Sequence, residues 1–302
     1  ESESRGLGDV YKRQLMNLLV ADIGGTNARF AYKHSTSGPL SHFSYLKCAN
    51  FQNIFDAIKY YQEENNLNIK NMSIAVASTT KHDAIKFTNN NWCFKQSEVF
   101  KHFKLDKLIF INDFVAQSLC FGAFYKNLTK DPSINNKNAL EHNLDIIRPG
   151  IPMIKAPLLV TGPGTGLGIC SLLNLNGSSI AIEGEGGHTS FAPNSDKEIE
   201  LLQFLKKKYD HVSNERVVSG SGIEEIYNFI LSKHGKKASK LKAPEIGEKA
   251  LLGETDARNS IKLMFSILGT VVSNVILING AQSGVIISCL LYTSPSPRDS
   301  DS

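Results

Sequence analysis

The sequence lacks the short motifs that build zinc sites or disulfide frameworks. Only five of its 302 residues are cysteines, and they lie far apart without a CxxC pair. An HExxH pattern is also missing. Widely spaced thiols are typical of a reducing compartment, where disulfides are rare. We therefore expect a cytoplasmic protein without structural zinc or disulfide bonds.

Signals for nucleic acid, membranes and common nucleotide folds are also weak. The chain has neither a GxGxxG fingerprint nor a GK[ST] phosphate loop. The net charge is only +4 at pH 7, and the lysines of residues 236–242 are typical of a solvated loop. The most apolar stretch, residues 264–278, contains Ser266, Ser273 and Asn274 and is short for a membrane span. We expect no nucleic-acid partner, no membrane partner and a buried helix at 264–278.

The two ends of the chain differ from the rest in pattern. Residues 1–14 and 289–302 show no helical or strand periodicity and resemble translated sequencing-adaptor read-through. Such segments are excluded from fold reasoning. A genuine disordered tail is the alternative. We predict a non-native leader at 1–14 and a non-native tail at 289–302.

Between these ends, strand-like and helix-like segments alternate. An early β-β-α-β order ends in a buried strand at residues 73–77. Further strands are predicted at residues 84–88, 108–111, 158–161 and 284–287, and helices at 51–65 and 115–125. The layout predicts an α/β protein with a small α/β domain at 15–122 and a large one at 123–288, whose C-terminal part is missing.

Later helices carry start signals. Ser195 with Glu198 and Ser221 with Glu224 have the spacing of capping boxes before apolar runs. Thr255 is a candidate cap for a long helix that follows it. The second half of the large domain is therefore predicted to be mostly helical.

The strongest functional signal is the run Asp22-Ile-Gly24-Gly25-Thr26-Asn27 after an apolar strand. Adjacent glycines let bare N–H groups approach phosphate oxygens. Asp22 can hold Mg²⁺ through water, while Thr26 and Asn27 offer donors to a terminal phosphate. The alternative is an ordinary tight hairpin.

A second glycine cluster begins after the strand predicted at 158–161. It contains Gly162, Gly164, Thr165 and Gly166 and leads into another apolar segment. Its spacing does not match a dinucleotide fingerprint. A structural hairpin is the alternative for this cluster alone. Two such turns on separate strands indicate a nucleotide clamped between two lobes.

Asp113 follows the strand predicted at 108–111 and precedes a helix. A carboxylate at the C-terminal edge of a sheet lies where ligands collect in open α/β folds. There it can accept the proton of an attacking hydroxyl as a general base. Aspartate is also a favoured helix N-cap, and the two roles are compatible.

Acids and a histidine follow the second glycine cluster. Glu185 and His188 lie in a glycine-rich turn without metal-ligand spacing, and their chemistry suits the hydroxyl groups of a sugar. Glu215 is a further candidate acceptor. Its alternative is a surface acid paired with Arg216 or a lysine.

These residues resemble the bacterial glucokinases of the non-ROK type, within the actin-like sugar kinase superfamily. The resemblance implies a two-lobed actin-like (ribonuclease H-like) ATPase fold with a central cleft. It also implies ATP-dependent phosphorylation of D-glucose at the 6-hydroxyl to glucose 6-phosphate, the first step of glycolysis. We further expect a homodimer. The matching stretches are residues 22–31, Thr88-Asn89 with Trp92 and Phe94, 111–114, 162–168, 184–188 with 191–195, and 215–217 with Ser219-Gly220.

By the same resemblance, Asp113 is the base and the two glycine turns bind phosphates. Asn112, Glu185, His188 and Glu215 would bind the sugar. The zinc signature of ROK kinases, CxCGxxGCxE, is missing, as is a winged-helix segment. Both absences disfavour a ROK kinase and a ROK repressor.

Two departures from the family pattern stand out. Ser78-Thr79-Thr80 replaces a usual proline, so we expect a different wall beside the sugar. The chain also stops where the family continues into a Gly-Gly-Ile adenosine motif and closing helices, which predicts weak or no turnover for the chain as written. The alternative function is a non-catalytic sugar-sensing protein of the same fold, or a phosphatase or ATPase of the superfamily. The intact Asp113 and both glycine turns favour the kinase.

Overall fold

The computed structural model describes residues 15–36, 38–87, 91–130, 145, 147–175 and 178–288. The predicted leader and tail, and the Thr88-Asn89 pair, lie outside the described residues. The chain divides into two compact units, Glu1–Gln117 and Ser118–Ser302. Each unit has its own sheet and its own apolar core.

Unit 1 is built around a five-stranded mixed sheet. Its strand order is β3-β2-β1-β4-β7, with β1 antiparallel to β2 and parallel to β4. A small hairpin of β5 and β6 lies apart from this sheet. The elements are β1 (Leu15–Ile23), β2 (Asn27–Ser35), β3 (Leu40–Lys47), α1 (Ile54–Glu64), β4 (Asn71–Val76), β5 (Ala84–Lys86), β6 (Cys93–Lys95), α2 (Gln96–His102), β7 (Lys107–Asn112) and the start of α3 (Asp113–Lys130).

Most predicted elements of unit 1 are present, but the strands β3 and β6 and the short helix α2 were missed. The early order is β-β-β-α-β, because β3 adds a third strand after the first hairpin. This strand has no fully buried residue, and Phe43 and Tyr45 are exposed on it. An edge strand with polar residues on both faces lacks the alternation that predicts a half-buried strand. The core is made of apolar side chains such as Leu19, Ile54 and Ile74.

Unit 2 combines a four-stranded sheet with a helical layer. The strand order is β10-β9-β8-β11, and the predicted last strand, β11, pairs parallel with β8. Its elements after α3 are β8 (Leu158–Pro163), β9 (Leu167–Leu175), β10 (Ser178–Gly184), α4 (Asp196–Lys206), α5 (Asn214–Val217), α6 (Gly220–Lys233), α7 (Ala243–Leu251), α8 (Thr255–Asn279) and β11 (Gly284–Ile287).

Two of the three predicted helix starts were displaced. Ser195 caps α4 and accepts from the Glu198 N–H, as predicted. In contrast, α6 is capped by Ser219, which accepts from the Gly222 N–H at 3.1 Å, so Ser221 is already inside the helix. The cap of α8 is the Glu254 side chain rather than Thr255. Sequence spacing alone did not distinguish neighbouring cap-forming side chains.

The apolar stretch predicted as a buried helix forms the second half of α8. By length and composition, α8 is the one described helix that could cross a membrane. Met264, Ile267 and Leu268 lie in the core of unit 2, while Leu277 and Ile278 near its end are each 81% exposed. One face of the helix therefore packs as predicted, and its last turn does not.

Candidate active site

The first glycine turn joins β1 and β2 in unit 1. The Gly24 N–H donates to the Asn27 carbonyl at 2.9 Å and closes the turn. Within the described part of the chain, the N–H groups of Gly25 and Thr26 have no hydrogen-bond partner. Neither glycine has a positive φ, and a Cβ at Gly24 would meet only ordinary contact distances. The hairpin itself therefore does not require a glycine at position 24. The close approach of a ligand to the backbone is the other usual reason for a glycine, and the turn favours that reason.

Cys48 supports this turn from the other side. Its backbone N–H donates to the Thr26 carbonyl at 2.9 Å, and its thiol donates to the Gly24 carbonyl at 3.6 Å. Burial raises the pKa of the Cys48 thiol, so the thiol remains a neutral donor. The two carbonyls of the turn are thus held while the amides of Gly25 and Thr26 stay available to a ligand.

Arg29 is a component of the site that the sequence analysis missed. It lies directly across the hairpin from Asp22, and its guanidinium donates to the Asp22 carboxylate at 2.8 Å. Both side chains are about half exposed. The available signal was their symmetric placement about the turn. Described residues include no cluster of three or more metal-ligating side chains. Mg²⁺ in phosphoryl-transfer sites needs only one or two carboxylates with water and phosphate, so Asp22 fits it.

Asp113 begins α3, but its neighbour performs the capping. The Asn112 side-chain oxygen accepts from the N–H groups of Phe114 at 2.9 Å and Val115 at 3.2 Å. One Asp113 carboxylate oxygen accepts from the Phe114 N–H, at 2.8 Å. The structure therefore gives the helix cap to Asn112.

The surroundings of Asp113 raise its pKa. Burial is the largest cause, the Phe114 N–H opposes it, and the negative charge of Asp22 adds to it. A carboxyl group with an increased affinity for protons suits a general base. The effect of Asp22 also couples Asp113 electrostatically to the first glycine turn.

Asn112 has a second contact that involves one of the departures from the family pattern. Its side-chain N–H₂ donates weakly to the Ser78 carbonyl at 3.4 Å. The Ser78 hydroxyl in turn donates to the Lys86 carbonyl at 2.9 Å. The segment that replaces the usual proline is thus attached both to the predicted sugar ligand Asn112 and to β5.

The second glycine turn, between β8 and β9 in unit 2, repeats the pattern of the first. The Gly164 N–H donates to the Gly166 carbonyl at 2.8 Å. Among the residues that the structure describes, none accepts from the N–H groups of Thr165 and Gly166. The Gly164 carbonyl accepts from the Gly220 N–H at 2.9 Å, so the turn is fastened to the start of α6. Gly162, one residue before the end of β8, pairs with Gly168 of β9.

Glu215 lies on α5 against this turn. Its carboxylate accepts from the Leu167 N–H at 3.0 Å, and a Cβ on Gly166 would come within 2.4 Å of the same oxygen. Arg216 instead stacks over the Tyr209 ring, 4.5 Å from its centre. The alternative of a surface acid paired with Arg216 is therefore not what the structure contains.

Glu185 directly precedes a short 3₁₀ turn over Gly186–His188, and His188 is the last residue of that turn. The His188 imidazole lies 3.8 Å from the Glu185 carboxylate, and both side chains are well exposed. Gly187 packs so closely that a Cβ there would lie 2.3 Å from the Leu167 carbonyl oxygen. Leu167, at the end of the second glycine turn, is therefore contacted from two sides. One contact comes from the turn that contains Glu185 and His188, and the other from the Glu215 carboxylate.

A largely apolar cavity of about 450 Å³ lies elsewhere in unit 2, between α8 and the β9–β10 hairpin. It includes none of the predicted site residues. Its wall contains Gly186, Thr189 and Asn214, which are neighbours in sequence of the predicted site residues. The predicted site residues themselves therefore lie outside this cavity.

Comparisons with known proteins agree with these features. A family model described as "Glucokinase" matches residues 19–289. A glucokinase of Neisseria meningitidis is 36% identical over 272 residues, which are 89% of this chain and 78% of that protein. The crystal structure of a glucokinase from an Antarctic psychrotroph is 29% identical, with a TM-score of 0.72, and the match covers 94% of this chain and 89% of the other.

A more distant structure has the same fold. The ROK family glucokinase from Streptomyces griseus, solved in complex with glucose and AMPPNP, is 14% identical with a TM-score of 0.54. The match covers 90% of this chain and 83% of that one. The actin-like fold of the sugar kinases is thereby confirmed for this chain.

Proposed function

This chain belongs to the glucokinase family, and we propose that it transfers the γ-phosphoryl group of ATP to the 6-hydroxyl of D-glucose. As a member of that family it is a sugar kinase, a phosphotransferase. The product is glucose 6-phosphate, and the reaction is the first step of glycolysis. The observation that carries the proposal is Asp113, half-buried with a raised pKa and coupled to the Asp22 glycine turn.

Asp113 acts as the general base. One of its oxygens is held by the Phe114 N–H, which fixes the carboxylate at the start of α3. The second carboxylate oxygen accepts the proton of the 6-hydroxyl of glucose. As it does so, the oxygen of the 6-hydroxyl attacks the γ-phosphorus, and the bond between the γ-phosphorus and the β-phosphate oxygen breaks. ADP leaves with the negative charge, and the proton remains on Asp113 until it passes to water.

The backbone amides bind the phosphates. Gly25 and Thr26 in unit 1, and Thr165 and Gly166 in unit 2, present neighbouring N–H groups that suit phosphoryl oxygens. Asn27 supplies a further donor at the end of the first turn. Asp22 would hold Mg²⁺, which would supply positive charge to offset the negative charge on the phosphoryl oxygens.

The sugar is bound through its hydroxyl groups. Carboxylates accept from hydroxyls and an imidazole both donates and accepts, so Glu185, His188 and Glu215 suit this role. Asn112 offers its side-chain N–H₂, whose only contact in the described structure is the long one to Ser78. These assignments rest on the exposure of Glu185 and His188 and on the family motifs that they match.

We place the enzyme in the cytoplasm as a homodimer without nucleic-acid or membrane partners. The four described cysteines are free thiols, which supports a reducing compartment such as the cytoplasm. The core face of α8 is buried in unit 2, which supports a protein without a membrane partner. Sedimentation of the purified chain at several concentrations tests the dimer. Vesicle flotation tests the membrane, since α8 has the length and composition of a span.

An end-point assay tests the reaction. The chain is incubated with MgATP and glucose, and glucose 6-phosphate and ADP are quantified together after long incubation, so that slow turnover registers. We expect equal amounts of both products. The control sugar is 6-deoxyglucose, which keeps the other hydroxyl groups but has no acceptor oxygen, and we expect it to compete with glucose and yield no ADP.

Other results would reject the proposal in distinct ways. ADP release at the same rate without sugar would identify an ATPase. Calorimetric binding of glucose, with no product and with no binding of AMPPNP, would favour the sugar-sensing alternative. Phosphorylation of the other hydroxyls, seen as product from 6-deoxyglucose, would contradict the assignment of the 6-hydroxyl.

A further inference from the structure

Glu215 contacts the phosphate-binding turn of unit 2, although its predicted partner is the sugar. Its Oε2 atom accepts from the Leu167 N–H at 3.0 Å. Leu167 directly follows Thr165 and Gly166, whose N–H groups have no partner in the described structure. One carboxylate is therefore in contact with the turn while its second oxygen, Oε1, remains available for a hydroxyl group.

Gly166 makes this contact possible. A Cβ at that position would lie 2.4 Å from Oε2 and 2.9 Å from Cδ of Glu215. Since real Cβ atoms do not approach that closely, any larger residue must displace the carboxylate. The glycine in the phosphate turn thus sets the position of the acid.

The second connection runs through α5 to the turn with Glu185 and His188. The Asn214 N–H donates to the Thr189 carbonyl and its side chain to the Thr189 hydroxyl, both at 2.8 Å. Thr189 follows His188, and Gly187 packs against the Leu167 carbonyl. The second glycine turn, the helix α5 with Glu215, and the turn with Glu185 and His188 therefore each contact the other two.

We propose that Glu215 is shared by the sugar and the triphosphate subsites, so that the two ligands bind with positive cooperativity. This inference rests on the proposed function. Hydroxyl groups that donate to Oε1 disperse the charge of the carboxylate. They thereby reduce its repulsion of an anion on the neighbouring amides, and by linkage the anion strengthens sugar binding by the same factor.

Calorimetry on the whole chain tests the inference with Gly166→Ala and Glu215→Gln. Glucose affinity is measured alone and with saturating AMPPNP and Mg²⁺. In the wild type we expect AMPPNP to tighten glucose binding by about five-fold or more, a usual size for such coupling. In both variants we expect glucose binding to weaken by about ten-fold and the coupling factor to fall to about one.

The matched control is Gly269→Ala on α8, where a Cβ would meet open space. It makes the same chemical change and should keep the wild-type glucose affinity and coupling. Circular dichroism and melting curves establish that each variant is folded. Glu215→Gln preserves the size of the side chain, so it remains informative if Gly166→Ala fails to fold.

The result with glucose alone decides the positioning claim. Wild-type glucose affinity in Gly166→Ala would show that the turn does not position Glu215, and would overturn the inference. A wild-type coupling factor of one or less would overturn the cooperativity. A wild-type chain that phosphorylates glucose without coupling contradicts only this inference, whereas a chain that binds no glucose contradicts the proposed function as well.

Discussion

The Asp22 carboxylate and the Arg29 guanidinium are paired at 2.8 Å across the first glycine hairpin, where the two residues are direct partners in the β1–β2 register. The pair places a cation beside the acid proposed to hold Mg²⁺. Because the charge of Asp22 also raises the pKa of Asp113, the three side chains form one electrostatic group in unit 1. Two distinct consequences for Asp113, the proposed base, can be measured.

Replacing Arg29 should move the acidic limb of the activity profile. In Arg29→Met the charge of Asp22 is no longer balanced, so the pKa of Asp113 rises further and a larger share of the base is protonated at a given pH. We expect kcat to begin its decline at a higher pH than in the wild type. Arg29→Lys keeps the cation and should restore most of the profile. If kcat declines at the same acidic pH in the wild type and in both variants, Arg29 does not influence the pKa of Asp113.

Replacing Asp113, the proposed base, should slow phosphoryl transfer strongly and leave glucose binding nearly unchanged. In Asp113→Asn the proton acceptor is lost, and we expect kcat to fall by about 10²- to 10⁴-fold while the glucose dissociation constant changes little. The burial that raises the pKa of Asp113 means that its charged form is disfavoured in the fold. Removing that charge should therefore leave the melting temperature at neutral pH equal to or above that of the wild type. Near-normal turnover in this variant would reject Asp113 as the base.

The candidate site residues can be proposed from the sequence because each belongs to a local pattern. A strand followed by Asp22 and two glycines, or a strand followed by Asn112 and Asp113, is contained in a few adjacent positions. The strands β4, β7, β8 and β11 were predicted for the same reason, since burial on one or both faces leaves a local apolar signal.

The partners of those residues were not accessible. The bonds of Cys48 to the first glycine turn and of Glu215 to Leu167 join segments that are distant along the chain. Nothing in a local pattern encodes which distant N–H will meet a carboxylate. The exposed strand β3 was missed for a related reason, because it contributes little to the core that creates periodicity.

The tight packing of Gly187 makes a testable contrast with Gly184 at the end of β10. A Cβ at Gly187 would lie 2.3 Å from the Leu167 carbonyl oxygen, whereas a Cβ at Gly184 meets nothing within 4 Å. We expect Gly187→Ala to destabilise the protein by about 1–3 kcal/mol and to weaken glucose binding. Gly184→Ala should stay within about 0.5 kcal/mol of the wild type. Urea unfolding measures both, and equal stabilities would contradict the packing argument.

The corrected start of α6 gives a second contrast. Ser219 is fully buried and accepts from the Gly222 N–H, while the exposed Ser221 lies within the first turn of the helix and shares a 3.1 Å hydroxyl–hydroxyl bond with Ser219. Ser219→Ala should therefore cost about 1 kcal/mol of stability, and Ser221→Ala less than about 0.5 kcal/mol. If urea unfolding shows that Ser221→Ala loses more stability than Ser219→Ala, then Ser221 caps the helix, as the sequence spacing predicts.

The start of α8 carries an ion-pair cluster with a defined pH dependence. The Asp256 side chain is only 4% exposed and accepts from Lys236 at 2.7 Å and His234 at 2.9 Å. The hydrogen bond from Lys236 is the largest cause that lowers the pKa of Asp256, although burial opposes it. A carboxyl whose pKa is lowered by folding stabilises the protein above its unfolded pKa of about 3.9, and this contribution is lost as the pH falls through the native value.

Asp256→Asn should consequently lower the melting temperature by a few degrees at pH 7, because the Lys236 ammonium then faces a neutral amide. The difference from the wild type should shrink as the pH falls below about 4, where the wild-type carboxylate also becomes protonated. Asp210→Asn is the matched control, since Asp210 is exposed and has no ion pair in the described structure. A difference for Asp256→Asn that stays constant down to pH 3, or an equal effect of Asp210→Asn, would mean that the cluster does not stabilise α8 through its charge.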